Sequence, residues 1–565
     1  MLQGGYVGCI PSENEGVRGN MIFVVLCGPL IAIIAGIGLF SLALASPGTA
    51  LEPYWEVPAI LALLFVVDSL VNLIPAGNLD GALLLHLILW TERGKAYVAS
   101  LRGGKLREDA TAIRNTGNLE DEVELLERAL RDAVEDGERR PDALASHYTA
   151  LGFGLLRVQR WAEAEAALKK SVDYLESGIF DPGLAANTWM GLHTLYHATQ
   201  RASEAERAYA ASVAAFSKVL GRRIPRAAAC SIRGALGRMH VDQGQYEAGL
   251  DELERALEDC PADAAHDLDR AVLLRSRAEC QFLLGMPDRG MNDSAQAANI
   301  FRAAVEHSSE APKALGELGA LGAVLWKSGR WQRAADIVQE AAEGFKARGL
   351  SARSSAQRLL LSLILRNAGR LEEALAALPG EANGSARENL LTARGHIALL
   401  SGRIVEAVRD FEECVGLARQ ANARPARIAE LEAALAEAYL ESGRDADAET
   451  LAAGARAVLQ ETQHPDQSDA LLVLARLDWK RGLDGSAFWR GALEAIHTAP
   501  LMEPATRARW LQQTAAKLTR DGHFAEAEEA RNAAAADWNR LGCPLESVQH
   551  EVHHDAGYAH VHPDR

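Results

Sequence analysis

Apolar residues are laid out in two ways along this 565-residue chain. No charged residue occurs between Gly19 and Leu51, and within that stretch Met21 to Ala45 is apolar and glycine-rich. At about 1.5 Å per residue such a run is long enough to cross a hydrocarbon core of about 30 Å. Val57 to Pro75 is a second run, interrupted only by Asp68 and ended by Pro75, whereas Ala82 to Trp90 is too short to span alone. From Glu120 onward apolar positions recur at helical spacing among dense charges, which predicts one amphipathic helix after another. The pattern predicts an all-α chain: a short transmembrane helical segment, then a long array of helices.

The array repeats itself from about Asn115 to Asn539. Its recurring phrase is a small residue, an aromatic or aliphatic two positions on, then alanine or glycine. Copies are Gly244-Gln-Tyr246-Glu-Ala-Gly249, Gly329-Arg-Trp331-Gln-Arg-Ala334, Gly369-Arg-Leu371-Glu-Glu-Ala374, Gly402-Arg-Ile404-Val-Glu-Ala407 and Gly522-His-Phe524-Ala-Glu-Ala527. A Leu-Gly pair precedes the phrase at Leu151-Gly152 and Leu236-Gly237, and an apolar knob with a small residue follows at Leu168/Ser171, Leu253/Ala256 and Phe411/Cys414. This pattern resembles the tetratricopeptide repeat (TPR). The resemblance implies a solenoid, a superhelix of helical hairpins, of about eleven units here. Small residues would let paired helices approach, the aromatic would fill the space between hairpins, and the turn glycine would cap the first helix at positive φ. The spacing is mostly about 40 residues against the usual value of roughly 34, with only Gly369 to Gly402 near standard. Such solenoids present a concave groove, so the implied partner is a protein or peptide.

The segment Asn72-Leu-Ile-Pro-Ala-Gly-Asn-Leu-Asp80-Gly81 ends the second apolar run. A carboxylate is costly in lipid and usually has a partner or a job. The segment resembles the second metal-ligand motif of the site-2 protease family, which are intramembrane zinc metallopeptidases. Gly4-Gly5-Tyr6-Val7 resembles that family's glycine-rich strand, and Gly28-Pro29-Leu30 its Gly-Pro-Leu segment, with Ile31-Ala32 as a departure. The resemblance implies that Asp80 is a Zn2+ ligand and that Asn72 and Pro75 belong to the segment shaping the substrate pocket. A catalytic zinc needs about three protein ligands and an open position for water. The family's His-Glu-x-x-His is absent from the N-terminal region, and Met1 stands three residues before Gly4. Either those histidines lie upstream and the chain is a zinc metalloendopeptidase, or it is a metal-free relative.

Charge refines the picture. The formal net charge of -17 argues against nucleic acid, whose phosphates want clustered Lys and Arg. The seven cysteines are scattered without a Cys-x-x-Cys, so neither a zinc knuckle nor a disulfide framework is indicated. Arg93, Lys95, Arg102, Lys105 and Arg107 follow the second apolar run, while the loop between the runs offers only Glu52 and Glu56. Positive-inside logic then places the array in the cytoplasm of a multi-pass cell-membrane protein facing the lipid bilayer. His193 and His197 share a helical face, but no third ligand accompanies them, and the tryptophans read as packing residues. At the end of the chain, His550-Glu551-Val-His553-His554-Asp-Ala-Gly557-Tyr-Ala-His560 matches the metzincin zinc signature. Helical repeats precede it where metzincins have a sheet, and only five residues follow His560, so it reads as a histidine-rich tail with His550, His554 and His560 as candidate metal ligands.

The expected organisation is a partial site-2-protease-like membrane segment (1–92), a basic juxtamembrane linker (93–114), a TPR-like α-solenoid (115–540) and a His-rich tail (541–565). The expected function is a membrane-anchored, site-2-protease-like protein with a cytosolic protein-binding solenoid. The alternative is a non-catalytic, membrane-anchored TPR scaffold.

Overall fold

The computed structural model describes residues 119–542 apart from 136–137, 139, 178–180, 308–309, 381–384, 462–463 and 500–503, together with 34–35, 37–41, 60, 106, 109–110 and 113. The helices are α1 (Leu119–Glu135), α2 (Pro141–Arg157), α3 (Trp161–Ser177), α4 (Pro182–Ala198), α5 (Ala202–Leu220), α6 (Arg226–Asp242), α7 (Tyr246–Asp259), α8 (Asp267–Leu283), α9 (Pro287–His307), α10 (Ala311–Lys327) and α11 (Trp331–Ala347). They continue with α12 (Ser351–Asn367), α13 (Leu371–Ala377), α14 (Ser385–Leu400), α15 (Ile404–Gln420), α16 (Pro425–Glu441), α17 (Asp445–Glu461), α18 (Gln467–Lys480), α19 (Ser486–Thr498), α20 (Pro504–Arg520) and α21 (Phe524–Arg540). The chain forms two compact units: α1 to α3 lie in the first, α5 to α21 in the second, and α4 crosses the boundary at Leu184/Ala185.

From α2 onward the helices pair as antiparallel hairpins, a TPR-like solenoid architecture. Sequence chemistry closes each pair. The turn residue has positive φ at Gln159, Gln200, Gly244, Gly285, Gly329, Gly369, Gly402, Gly443, Gly482 and Gly522. At Gly244 the amide donates to Val241 O and the next amide to His240 O, satisfying carbonyls that the helix end would otherwise leave open. Close approach is set sixteen residues apart. A Cβ on Gly237 would stand 2.6 Å from Leu253 Cγ, and one on Gly395 2.9 Å from Phe411 Cζ. A second device also repeats: the Ser171 hydroxyl donates to Ala145 O and Ser212 to Ala186 O, each spanning 26 residues, and the Cys414 thiol reaches Glu388 O at the same offset.

Most helices have 17 residues, which accounts for a repeat longer than the usual TPR. The near-standard step from Gly369 to Gly402 has another cause. Helix α13 has only 7 residues, and the Arg358 guanidinium donates to the carbonyls of Ala376, Ala377 and Leu378 at its end. The expected aromatic packing holds at Trp331, which lies against the core, but Phe524 is 67% exposed because no described hairpin follows to cover it. Trp489 and Trp538 are buried.

The membrane part of the predicted fold is corrected. Among the described residues no helix is long and apolar enough to cross a bilayer, so the transmembrane segment, the multi-pass location and the lipid bilayer as partner are not supported. The runs Met21 to Ala45 and Val57 to Pro75 lie outside the described residues, apart from a few helical positions.

Candidate functional site

The predicted site residues are not brought together by anything described: Asn72, Pro75, Asp80, His550, His554 and His560 lie outside the described residues. The chemistry that is visible belongs to the second unit. Its first-of-pair helices present one register, six residues before the turn residue, along an inner wall. Thr194 (α4), Arg238 (α6) and Glu279 (α8) line one cavity at these positions. His396 (α14), Glu437 (α16) and Arg476 (α18) occupy the same register farther on, and Ala323 and Leu363 fill it in α10 and α12.

Over its later part this wall is covered by α20, a helix without acidic residues. One side of α20, carrying Arg509, Gln513, Lys517 and Arg520 at spacings of three and four, meets α10, α12, α16 and α18. The Arg509 guanidinium stacks 4.6 Å from the Trp326 ring and donates to that residue's carbonyl. Gln513 Nε2 donates to Asn367 Oδ1 at 3.5 Å. Lys517 Nζ pairs with Glu437 at 2.9 Å and Asp469 at 3.5 Å. Arg520 pairs with Glu441, which also accepts from Arg476 at 2.6 Å. Burial pushes the Glu437 carboxyl up, but Lys517 and Arg476 outweigh it and bring it down to about 2. His396 is driven the other way: burial first, then the Arg366 charge, lowers it to about 3, so it is neutral at ordinary pH.

Apolar contacts complete the closure. Trp538 and Leu541 of the last hairpin pack with Ala508 against Leu283 at the end of α8. Farther back, Arg424 before α16 donates to Thr199 O after α4 at 3.5 Å. Hairpins six apart therefore touch, and the later inner wall holds the chain's own helix.

No described helix covers the earlier wall. Between α4, α6 and α8 lies a cavity of about 150 Å3, lined by Met190, Thr194, Arg238, Asp242, Ser276 and Glu279 among others. Among the described residues Arg238 makes no ion pair, and the buried Ser276 hydroxyl has no hydrogen-bond partner. Glu279 is engaged by Lys327 at 3.3 Å. His193 Nδ1 bonds to Ala205 O at 3.2 Å and its Nε2 stands 3.8 Å from Asp242, so this histidine is a packed core residue near the wall. The His193 and His197 rings are 6.0 Å apart and tilted.

Among the described residues one cluster has metal-ligating side chains. Glu430, His464 and Asp466 place one donor atom each within 4.8 Å of one another. His464 Nε2 lies 3.1 Å from Glu430 Oε1, and the Asp466 amide donates to His464 Nδ1 at 3.3 Å. That amide fixes Nδ1 as an acceptor, so the neutral ring carries its proton on Nε2 and donates it to Glu430. A metal on Nε2 would need that proton on Nδ1, where the amide already points. Arg427 also holds Glu430 at 2.8 Å. The arrangement suits an ionic lock between α16 and the loop before α18 better than a metal centre. Burial and then the Glu430 charge raise the Asp466 carboxyl to about 7.

Sequence reasoning missed this inner wall. The available signal was the residue six before each turn glycine, which carries charge or histidine at Arg238, Glu279, His396, Glu437 and Arg476.

No family model matches the chain, and no curated protein matches it significantly. Solved structures do. A Rap protein complexed with competence and sporulation factor is 13% identical, with 71% of this chain and 99% of that chain covered and a TM-score of 0.38. The apo form of RapI is 10% identical over 70% and 97%, at 0.34. A monomeric mutant of IFIT1 with Gppp-AAAA is 16% identical over 78% and 90%, at 0.33. At these scores the similarities carry no inference about ligands.

Proposed function

We propose that the chain is a non-catalytic scaffold that binds a protein or peptide partner along the inner wall of its second unit, between α4 and α8. The observation that carries this reading is the contrast within the wall. Its later part is neutralised and covered by α20, whereas Arg238 and Ser276 in the earlier part are left without partners. Buried polar groups normally find partners, so the unsatisfied Ser276 hydroxyl beside the exposed Arg238 supports a ligand at this place. Solenoids of helical hairpins offer such walls to other chains, although the fold alone does not specify the partner.

The test is site-specific photocrosslinking in the full chain. A photoreactive residue replaces Ala198, exposed one turn after Thr194 on α4, or Val405, exposed on α15. A discrete partner crosslinked from position 198 and not from 405 supports the reading. Equal labelling from both positions, or none from 198, overturns it.

A further inference from the structure

We infer that the cavity between α4, α6 and α8 binds a small zwitterion of amino-acid size, carboxylate toward Arg238 and Ser276, ammonium toward Asp242. This goes beyond the protein-binding reading and does not require it. Size sets the first limit. A cavity of about 150 Å3 holds a ligand of roughly benzene size, so a handful of heavy atoms fit and a folded partner does not. Charge sets the second. Arg238 offers a planar donor set suited to a carboxylate; the Asp242 and Glu317 charges act on it, but among the described residues neither closes an ion pair with it. Desolvation and the neighbouring Arg275 charge disfavour the charged guanidinium more than Glu317 and Asp242 favour it, and an incoming carboxylate adds to the favourable side. Ser276 is only 3% exposed, lines the same cavity and has an unspent hydroxyl, so it adds a second donor at that end.

A simple anion is opposed by Asp242 and Glu279 on the same lining, and a simple cation by Arg238. A ligand with both charges meets each demand. Thr194 Oγ1 donates to Met190 O at 3.0 Å, which leaves its lone pairs free for an ammonium beside Asp242. Met190 supplies an apolar wall for a short side chain.

The experiment is isothermal titration of the full chain with the twenty free amino acids, each followed by its N-acetyl and its decarboxylated analogue. The expected result is saturable binding of at least one free amino acid, with both analogues at least tenfold weaker. Arg238→Gln and Asp242→Asn should each weaken binding at least tenfold, with the circular dichroism spectrum unchanged. Should either variant misfold, the analogue series on the unmodified chain decides alone. No saturable binding at millimolar ligand, or an N-acetyl analogue that binds as tightly as its parent, overturns the inference. The crosslinking outcome at position 198 is read separately, so protein binding can stand or fall independently.

Discussion

Between α10 and α18 the inner wall lies under α20: Arg509 holds the Trp326 ring and carbonyl, and the carboxylates are matched by Lys517 and Arg520 or by wall cations such as Arg476. Between α4 and α8 no described helix lies over the same register, and Arg238 lines a cavity with Asp242 and Glu279 without an ion pair among the described residues. The difference lies in what comes to rest on the wall, since the hairpins beneath are built alike. A covered wall is spent on stability, and an uncovered one retains unsatisfied chemistry.

Breaking the cover should be the most costly change. Trp538→Ala removes a side chain that is 1% exposed and packed beside Leu283, and should cost about 4 kcal/mol. Hydrogen exchange should then rise together in α20, α21 and the turn after α8. A rise confined to α21 would show that the closure contributes little.

Next comes the ionic part. Lys517→Met leaves the nearly buried Glu437 short of its closest cation and should cost about 3 kcal/mol, partly recovered in the Glu437→Gln, Lys517→Met double variant. The sign with pH follows from the depressed Glu437 value. Its contribution is full above the ordinary carboxyl range and is lost as pH falls through about 2. Acid unfolding followed by circular dichroism should therefore shift to higher pH in Lys517→Met.

The lock beside α18 works in the opposite direction. Asp466 is raised to about 7, so stability that is full below the ordinary aspartate range is lost as pH rises through 7. His464, raised by its bond to Glu430 against the effect of burial, loses its contribution over the pH range just above the ordinary histidine value. Asp466→Asn should be more stable than the parent at pH 8 by about 1 kcal/mol and close to it at pH 4, measured by thermal melting in matched ionic strength. Equal melting shifts at both pH values would remove Asp466 as the cause.

Smallest of all should be Arg481→Ala. Its pair with Glu449 is exposed on both sides and screened by solvent, so thermal melting should be unchanged within error, away from either part of the wall.

Much of the array was legible in advance because hairpin chemistry is local. Gly244, Gly329, Gly369, Gly402 and Gly522 mark turns in the sequence and take positive φ in the structure. Leu253 and Phe411 meet the small residues sixteen positions earlier. The short α13 was not legible: its phrase looks like the others, and its end is set by Arg358, which reaches its carbonyls from another helix. The membrane reading rested on mean apolarity of stretches outside the described residues, and it drew attention to Asp80 and away from the wall.

The sequence by itself determined the helices, their pairing and the register that points six-before-turn residues to one side, because these follow from periodicity and from neighbours within a few dozen residues. It did not determine which part of the wall would be covered. Arg424 to Thr199, Arg509 to Trp326 and Gln513 to Asn367 join residues 225, 183 and 146 apart. Those meetings depend on small rotations accumulated over successive hairpins, a sum that no local pattern carries and only the tertiary structure resolves.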